Sequence, residues 1–244
     1  LCVLSTSQAT VEESYLLQKI AREIGSENID FRQRQTDFSK QDTLGNYPGL
    51  NCDLEEIDNS DAIFVIGSNS RAEQPILHLR IRKAWYQNDS KVCILNPADF
   101  DFKLKLEENL LVNIDQLSEV LAEVVSVVLK STKSELKAEF IGDFANIKPS
   151  KQAKNIAKIL MDAQNPVILS GALVENHVDA SLIINLQNLL IKLLNAKGGR
   201  LSQGPNTVGA SLAGLLPHLS TGGKKVKKAG LNASQMQQER PLAK

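Results

Sequence analysis

Continuous apolar runs alternate along this chain with stretches whose apolar residues recur every three or four positions. The opening "CVLS" reads as a buried strand. Thr10 then caps a helix, and Glu13, three residues on, completes a capping box. Val11, Tyr15, Leu17, Ile20, Ala21 and Ile24 form its predicted apolar stripe, and Gly25 stops it. Residues 26–60 are polar and turn-rich, a long connection with one short strand near Ile29; connections of this kind are usually functional or bound to a partner. "AIFVIG" is a continuous apolar strand, the pattern of a parallel sheet covered on both faces. Pro75 suits the first position of a helix running to about Tyr86, and "KVCILNP" is the next strand. The three together predict a βαβ unit with a right-handed crossover.

The same alternation continues. "LLVNI" predicts a short strand, and Asp115 a helix cap before Leu117, Val120, Leu121, Val124 and Val128. The chain turns polar over 131–149. Ser150 then caps a helix to about Ala163, "PVILSGA" reads as a strand, and a long helix follows over about 178–196, closed by Gly198 and Gly199. From Ser202 onward clear periodicity is lost, which predicts an extended arm over 202–244. The expectation is an α/β fold with a mostly parallel, doubly wound, Rossmann-like sheet. Its expected organisation is a first βα subregion over 1–130, a polar connection over 131–149, a second βα subregion over 150–201, and the arm.

Composition narrows the function. Lys and Arg number 28 and Asp and Glu 28, so no net field draws the 244-residue chain to nucleic acid or anionic lipid. No apolar run approaches the roughly 20 residues that span a bilayer, so no membrane insertion is expected. Cys2, Cys52 and Cys93 are scattered, without the C-x₂-C spacing of zinc or iron–sulfur sites. The chain opens on a strand-like Leu1 rather than Met, as a segment of a longer chain would.

The candidate site is the turn Gly67-Ser68-Asn69 at the carboxyl end of a parallel strand, where open α/β sheets admit ligands. A glycine lets the backbone approach a ligand, and Ser and Asn offer short polar groups; the G-x-G-x-x-G fingerprint is absent. Gly171, ending the strand of the second subregion, and Asn96, ending "KVCILN", complete the candidate cleft. Arg71, Arg80, Arg82 and Lys83, with His78 among them, read first as a solvated helix face, second as a docking surface. His78, His177 and His218 lie too far apart to suggest a metal site. The adjacent pairs Glu12–Glu13, Glu55–Glu56 and Glu107–Glu108, and the run Lys224, Lys225, Lys227 and Lys228, read as solvated surface. No nucleophile, base or metal constellation is visible, and no catalytic residue is assigned.

Three stretches resemble the molybdopterin oxidoreductase superfamily: "LQKIAREIGSENIDFRQRQTDF", "IDNSDAIFVIGSNSRAEQPILHLRIRKAWYQNDSKVCILNP" and "GGRLSQGPNTVGASLAG". Within it, "IGSNSRAEQPILHLRIRKA" followed by "ILNPADFDF" is similar to the branch of large iron–sulfur subunits in the peripheral arm of bacterial NADH:quinone oxidoreductase (complex I), supported by "GASLAGLLPHLSTGG" and "AGLNA". The likeness covers most of the chain and is weakest across the polar connection.

In redox-active members, an Asn-x-Asp-x-x-x-Arg segment leads into a Cys or selenocysteine that ligates molybdenum. Asn28, Asp30 and Arg34 fit that frame, and the ligand position falls on Thr36, followed by Asp37. Thr36 has no thiolate for a soft metal centre. Members commonly read Asp-Pro-Arg where this chain reads Asn96-Pro97-Ala98, so a nucleotide-ribose grip is weakened as well. The resemblance thus implies a structural, redox-silent domain without cofactor in this segment. It also implies iron–sulfur clusters in an N-terminal region outside it, other peripheral-arm subunits and the rest of the chain as partners, and a peripheral place on the cytoplasmic side of the inner membrane. The alternatives are a working molybdopterin-dependent, formate dehydrogenase-like oxidoreductase, or a nucleotide-binding interaction module at Gly67–Asn69.

Overall fold

The computed structural model describes residues 1–39, 41, 47–132 and 147–238. They fall into two compact units, one of Leu1–Gly49 with Ser202–Lys244 and the other of Leu50–Leu201. The first unit opens with β1 (Val3–Leu4), α1 (Val11–Glu23) and β2 (Ile29–Asp30). The second holds α2 (Leu54–Asp58), β3 (Ala62–Ile66), α3 (Ser70–Glu73), α4 (Pro75–Asn88), β4 (Lys91–Asn96) and β5 (Glu108–Leu111). It continues through α5 (Leu117–Thr132), α6 (Lys151–Asp162), β6 (Pro166–Ser170), α7 (Ala172–Glu175), α8 (Ala180–Leu194) and β7 (Lys197–Arg200). The first unit resumes with α9 (Thr207–Ala213), a short antiparallel pair β8 (Leu219–Ser220) and β9 (Lys224–Lys225), and α10 (Ala233–Gln238).

In the second unit five parallel strands lie in the order β5-β4-β3-β6-β7. Strands β3–β5 of the expected first subregion and β6–β7 of the second build one sheet. That first subregion does not hold together over 1–130, however: β1 and β2 pair as a separate two-stranded sheet, and residues 1–49 belong to the other unit. Residues 133–146, most of the expected polar connection, lie outside the described residues. Every residue of β3 and β6 is buried, as their unbroken apolar runs require when helices cover both faces. Ile63, Val65, Val92, Ile94, Val167 and Leu169 alternate onto one face, where Ile57 of α2 and Leu77, Ile81 and Ala84 of α4 cover them. Helices α5, α6 and α8 pack together and against the strands on the other. Pro75 begins α4 as expected, and the Ser150 hydroxyl caps α6 by accepting from Ala153 N–H (3.2 Å).

Four further expectations are corrected. Gly198 and Gly199 do not close α8; Asn195 does, in a left-handed conformation, and the glycines form β7. A Cβ on Gly198 would stand 2.0 Å from the Ile168 carbonyl oxygen, so only glycine lets β7 pair there. The region from Ser202 is not an extended arm, since α9, the β8–β9 pair and α10 occupy much of it. The connection before β3 contains α2, with Glu56 reaching back to the Asp53 N–H (2.9 Å).

The fourth correction concerns α1. Its capping box forms as expected, Thr10 N–H donating to Glu13 (2.8 Å) and Glu13 N–H to the Thr10 hydroxyl (3.2 Å). The buried face, however, is Ser14, Gln18 and Ala21, while Val11, Tyr15, Leu16, Leu17, Ile20 and Ile24 are exposed. The helix turns its small and polar side inward because it packs on α9, itself built of small residues. Arg22 anchors this arrangement: its guanidinium donates to the carbonyls of Gly214 (3.2 Å), Leu216 (3.1 Å) and Leu219 (3.1 Å) and pairs with Glu27. Burial lowers its pKa from the ordinary value.

Candidate functional site at the strand-order reversal

From β3 the strands run outward through β4 to β5, and from β6 outward to β7 on the other side. The order reverses between β3 and β6, and open α/β sheets form their ligand crevice outside the carboxyl ends at such a point. Gly67 and Ser68 follow β3, Gly171 follows β6, and Asn96 ends β4, so the structure brings these sequence-read residues together. Ser68 and Asn96 are fully buried.

The polar groups there face one another. The Ser68 N–H donates to Asn96 Oδ1 (2.8 Å), and Asn96 Nδ2 donates back to the Ser68 carbonyl (3.0 Å). Gly171 lies so close that a Cβ on it would stand 2.2 Å from Ser68 Cβ. Glu73 was not read from the sequence as a site residue. Its carboxylate accepts from the Ser68 hydroxyl (3.0 Å), the Asn69 N–H (3.0 Å) and, at 3.4 Å, the Ala172 N–H. It joins the turn after β3 to the turn after β6. The signal in the sequence is a carboxylate four residues beyond Asn69, within reach of a helix's free amides.

Below this turn His78 is buried. Its Nε2 donates to the Phe102 carbonyl (2.9 Å), which leaves Nδ1 to accept from the Ser70 hydroxyl (3.1 Å). Burial is the main cause holding its pKa below the ordinary value; the Phe102 contact opposes that, and Arg71 and Arg82 reinforce it. The basic cluster on α3 and α4 is largely paired. Arg80 and Lys83 both reach Asp58 Oδ2 (2.8 and 2.7 Å), and Arg71 meets Asp101 (3.2 Å). Burial pushes Asp58 up, but the hydrogen bonds from Lys83 and Arg80 outweigh it and its pKa is lowered. Burial raises the Cys93 thiol to about 12 and also raises Cys52, so both are protonated near neutrality.

Asn28, Asp30, Arg34 and Thr36 belong to the other unit. Asn28 Oδ1 accepts from Leu231 N–H (2.9 Å). Asp30 is fully buried, with one oxygen accepting from the Phe31 and Arg32 amides (2.8 and 3.0 Å) and the other from Ala233 N–H (3.1 Å). Arg32 clasps both oxygens (2.9 and 2.7 Å). These two side chains tie the 28–32 segment to the return of the chain at 231–233. Arg34 and Thr36 are exposed, and Asp37 accepts from the Ser39 amide and hydroxyl (2.9 and 2.6 Å). His177 donates through Nε2 to the Ile114 carbonyl (2.8 Å) and accepts from the Asp179 amide (2.9 Å). Among the described residues no group of three His, Cys, Asp or Glu side chains is placed to hold a metal ion.

A family model described as molybdopterin oxidoreductase matches residues 2–240. The chain belongs to the molybdopterin oxidoreductase family. The probable oxidoreductase YjgC of Bacillus subtilis (strain 168) is 34% identical over 99 residues, which cover 38% of this chain and 10% of that protein. The NADH-ubiquinone oxidoreductase 75 kDa subunit of Reclinomonas americana is 25% identical over 198 residues, covering 77% of this chain and 24% of the subunit. This molybdopterin oxidoreductase chain thus spans a quarter or less of those relatives' lengths. A chain of the formyltransferase/hydrolase complex from Methylorubrum extorquens, crystallised with methylofuran, superposes with a TM-score of 0.59 at 17% identity, over 86% of this chain and 55% of that one. That likeness concerns the fold. No helix among the described residues is long and apolar enough to cross a membrane.

Proposed function

We propose that this chain is a structural, redox-silent molybdopterin oxidoreductase-type domain in a subunit of an NADH:quinone oxidoreductase, with the electron-carrying iron–sulfur clusters held elsewhere in a longer chain. The likeness to the Reclinomonas americana subunit, spread over 77% of this chain, supports the assignment to that branch. The observation that carries the redox-silent part is Asn96, which spends both ends of its side chain on the Ser68 main chain. With Glu73 engaging the Ser68 hydroxyl and the Asn69 main-chain amide, three donors a dinucleotide would use at this turn, the Ser68 and Asn69 amides and the Ser68 hydroxyl, already have partners within the chain. A pterin dinucleotide seated through Gly67, Ser68, Asn69, Asn96 and Gly171 does not fit that donor set. Nor does a soft metal fit the Thr36 hydroxyl, and the neighbouring Asp37 carboxylate is turned onto Ser39. On this reading the cleft is a retained shape, and the domain serves by packing against the remainder of its chain and other peripheral-arm subunits on the cytoplasmic side of the membrane.

The test is twofold. Metal and pterin analysis of the purified full-length protein should give no stoichiometric molybdenum. Thr36→Ala in the assembled complex should leave NADH:quinone oxidoreductase turnover unchanged. A stoichiometric metal–pterin content, or a collapse of turnover in Thr36→Ala with the complex still assembled, sinks the proposal.

A further inference from the structure

Helix α4 carries two apolar faces, and the core uses one of them. Leu77, Ile81 and Ala84 pack toward the sheet, while Ile76, Leu79 and Tyr86 are 64%, 56% and 80% exposed. Their spacing of three and seven residues puts them on a single outward stripe, the pattern by which one helix anchors another. The stripe runs into a cavity of about 460 Å³ at the start of β4, walled by Trp85, Tyr86, Val92 and Lys105. Ser90 also lines it, buried, with a hydroxyl that has no partner among the described residues. Exposed apolar surface continuous with a groove marks sites where proteins bind one another.

Charge decides the kind of partner. Helix α4 bears Arg80, Arg82 and Lys83 and no Asp or Glu. Arg80 and Lys83 share one carboxylate, Asp58, and Arg82 has no ion-pair partner among the described residues. Lys91, Lys105, Asp89 and Glu107 all line the cavity, two of each sign, and add no net charge there. The outward stripe is therefore apolar with a surplus of positive charge on its rim.

We propose that this face docks an acidic amphipathic helix of a partner polypeptide. The partner's apolar side lies along Ile76, Leu79 and Tyr86, and its carboxylates meet Arg82 and the half-neutralised Arg80–Lys83 pair. The proposal rests on α4 and the adjoining cavity and stands or falls independently of the redox-silent reading.

Trp85, the only tryptophan of the chain, lines the cavity and reports on it directly. The probes are two synthetic helices with the same leucine stripe, one flanked by glutamates and the other by lysines, titrated against the full chain. The glutamate helix should shift Trp85 emission saturably, more weakly as salt rises, and the lysine helix should not. Arg82→Glu should weaken the glutamate helix roughly fivefold or more and narrow or reverse the preference. Tyr86→Ser, also at an exposed position, should abolish the saturable shift and serves where Arg82→Glu does not fold. Equal binding of both helices, binding of neither, or an Arg82→Glu protein with unchanged affinity overturns the proposal. So does a Trp85 shift that appears on concentrating the protein alone, which would make a second copy the occupant.

Discussion

Asn96 shows how much one buried side chain decides. Its amide satisfies a donor and an acceptor of the Ser68 main chain at a fully buried position. Replacement by leucine keeps the volume roughly but orphans both groups, each costing about 1–3 kcal/mol. Asn96→Leu should therefore lower unfolding stability by about 2–6 kcal/mol, read as a shift of the urea midpoint at constant slope. Asn96→Asp should also destabilise, because it keeps the acceptor, loses the donor and buries a charge. His78 adds a pH dependence. Its folded-state pKa is depressed below the unfolded value of about 6.5. Above that pH both states are neutral. As pH falls through it, the unfolded chain takes up a proton that the folded chain resists. Stability should thus fall below roughly pH 6.5 and level off once the depressed value is passed. Denaturation at a series of pH values should show that slope in the native protein and a smaller one in His78→Gln.

The elements most legible in the sequence were those whose burial is unambiguous. The run 62–67 had to be an inner strand, and Pro75, helix periodicity and "KVCILN" placed α4 and β4 around it. The residues that meet beyond those strands, Gly67, Ser68, Asn96 and Gly171, could be read because position at a strand end is a local property. Glu73's bonds to the Ser68 hydroxyl and the Asn69 amide are just as local, but its reach to Ala172 was not legible, since that residue arrives from far along the chain. β7 was invisible for a related reason. "KGGR" has no strand propensity, and its pairing follows from how closely Ile168 approaches, which only the folded sheet reveals. Gly198 has φ +129°, where an L side chain is strained as well as crowded. Gly198→Ala should cost about 2–4 kcal/mol and release β7. Hydrogen exchange should then accelerate at the Asn51 amide, which donates to the Gly198 carbonyl. α1 misled for the opposite reason: its apolar residues are real, but the inward face had to be thin enough for α9.

At the scale of the whole chain, the second unit is an insertion between the two parts of the first. Its own ends meet, with Leu50 bridged to Gly199 and the Asn51 amide bonded to the Gly198 carbonyl (2.8 Å). Segments whose ends lie together tolerate excision. The 50–201 segment expressed alone should unfold cooperatively, by circular dichroism, with the helical signal of α4–α6 and α8. A non-cooperative, expanded segment would show that it depends on residues outside it. The outward face of α1 has a different consequence, a colloidal one. Leu16, Leu17, Ile20 and Ile24 lie in the open on a chain whose formal charge at neutral pH is zero. Nothing long-ranged then keeps two molecules apart, and four greasy side chains hold them once they touch. Such a protein is least dispersible at neutral pH, clings to hydrophobic resins, salts out early, and disperses best where acid or base gives it a net charge.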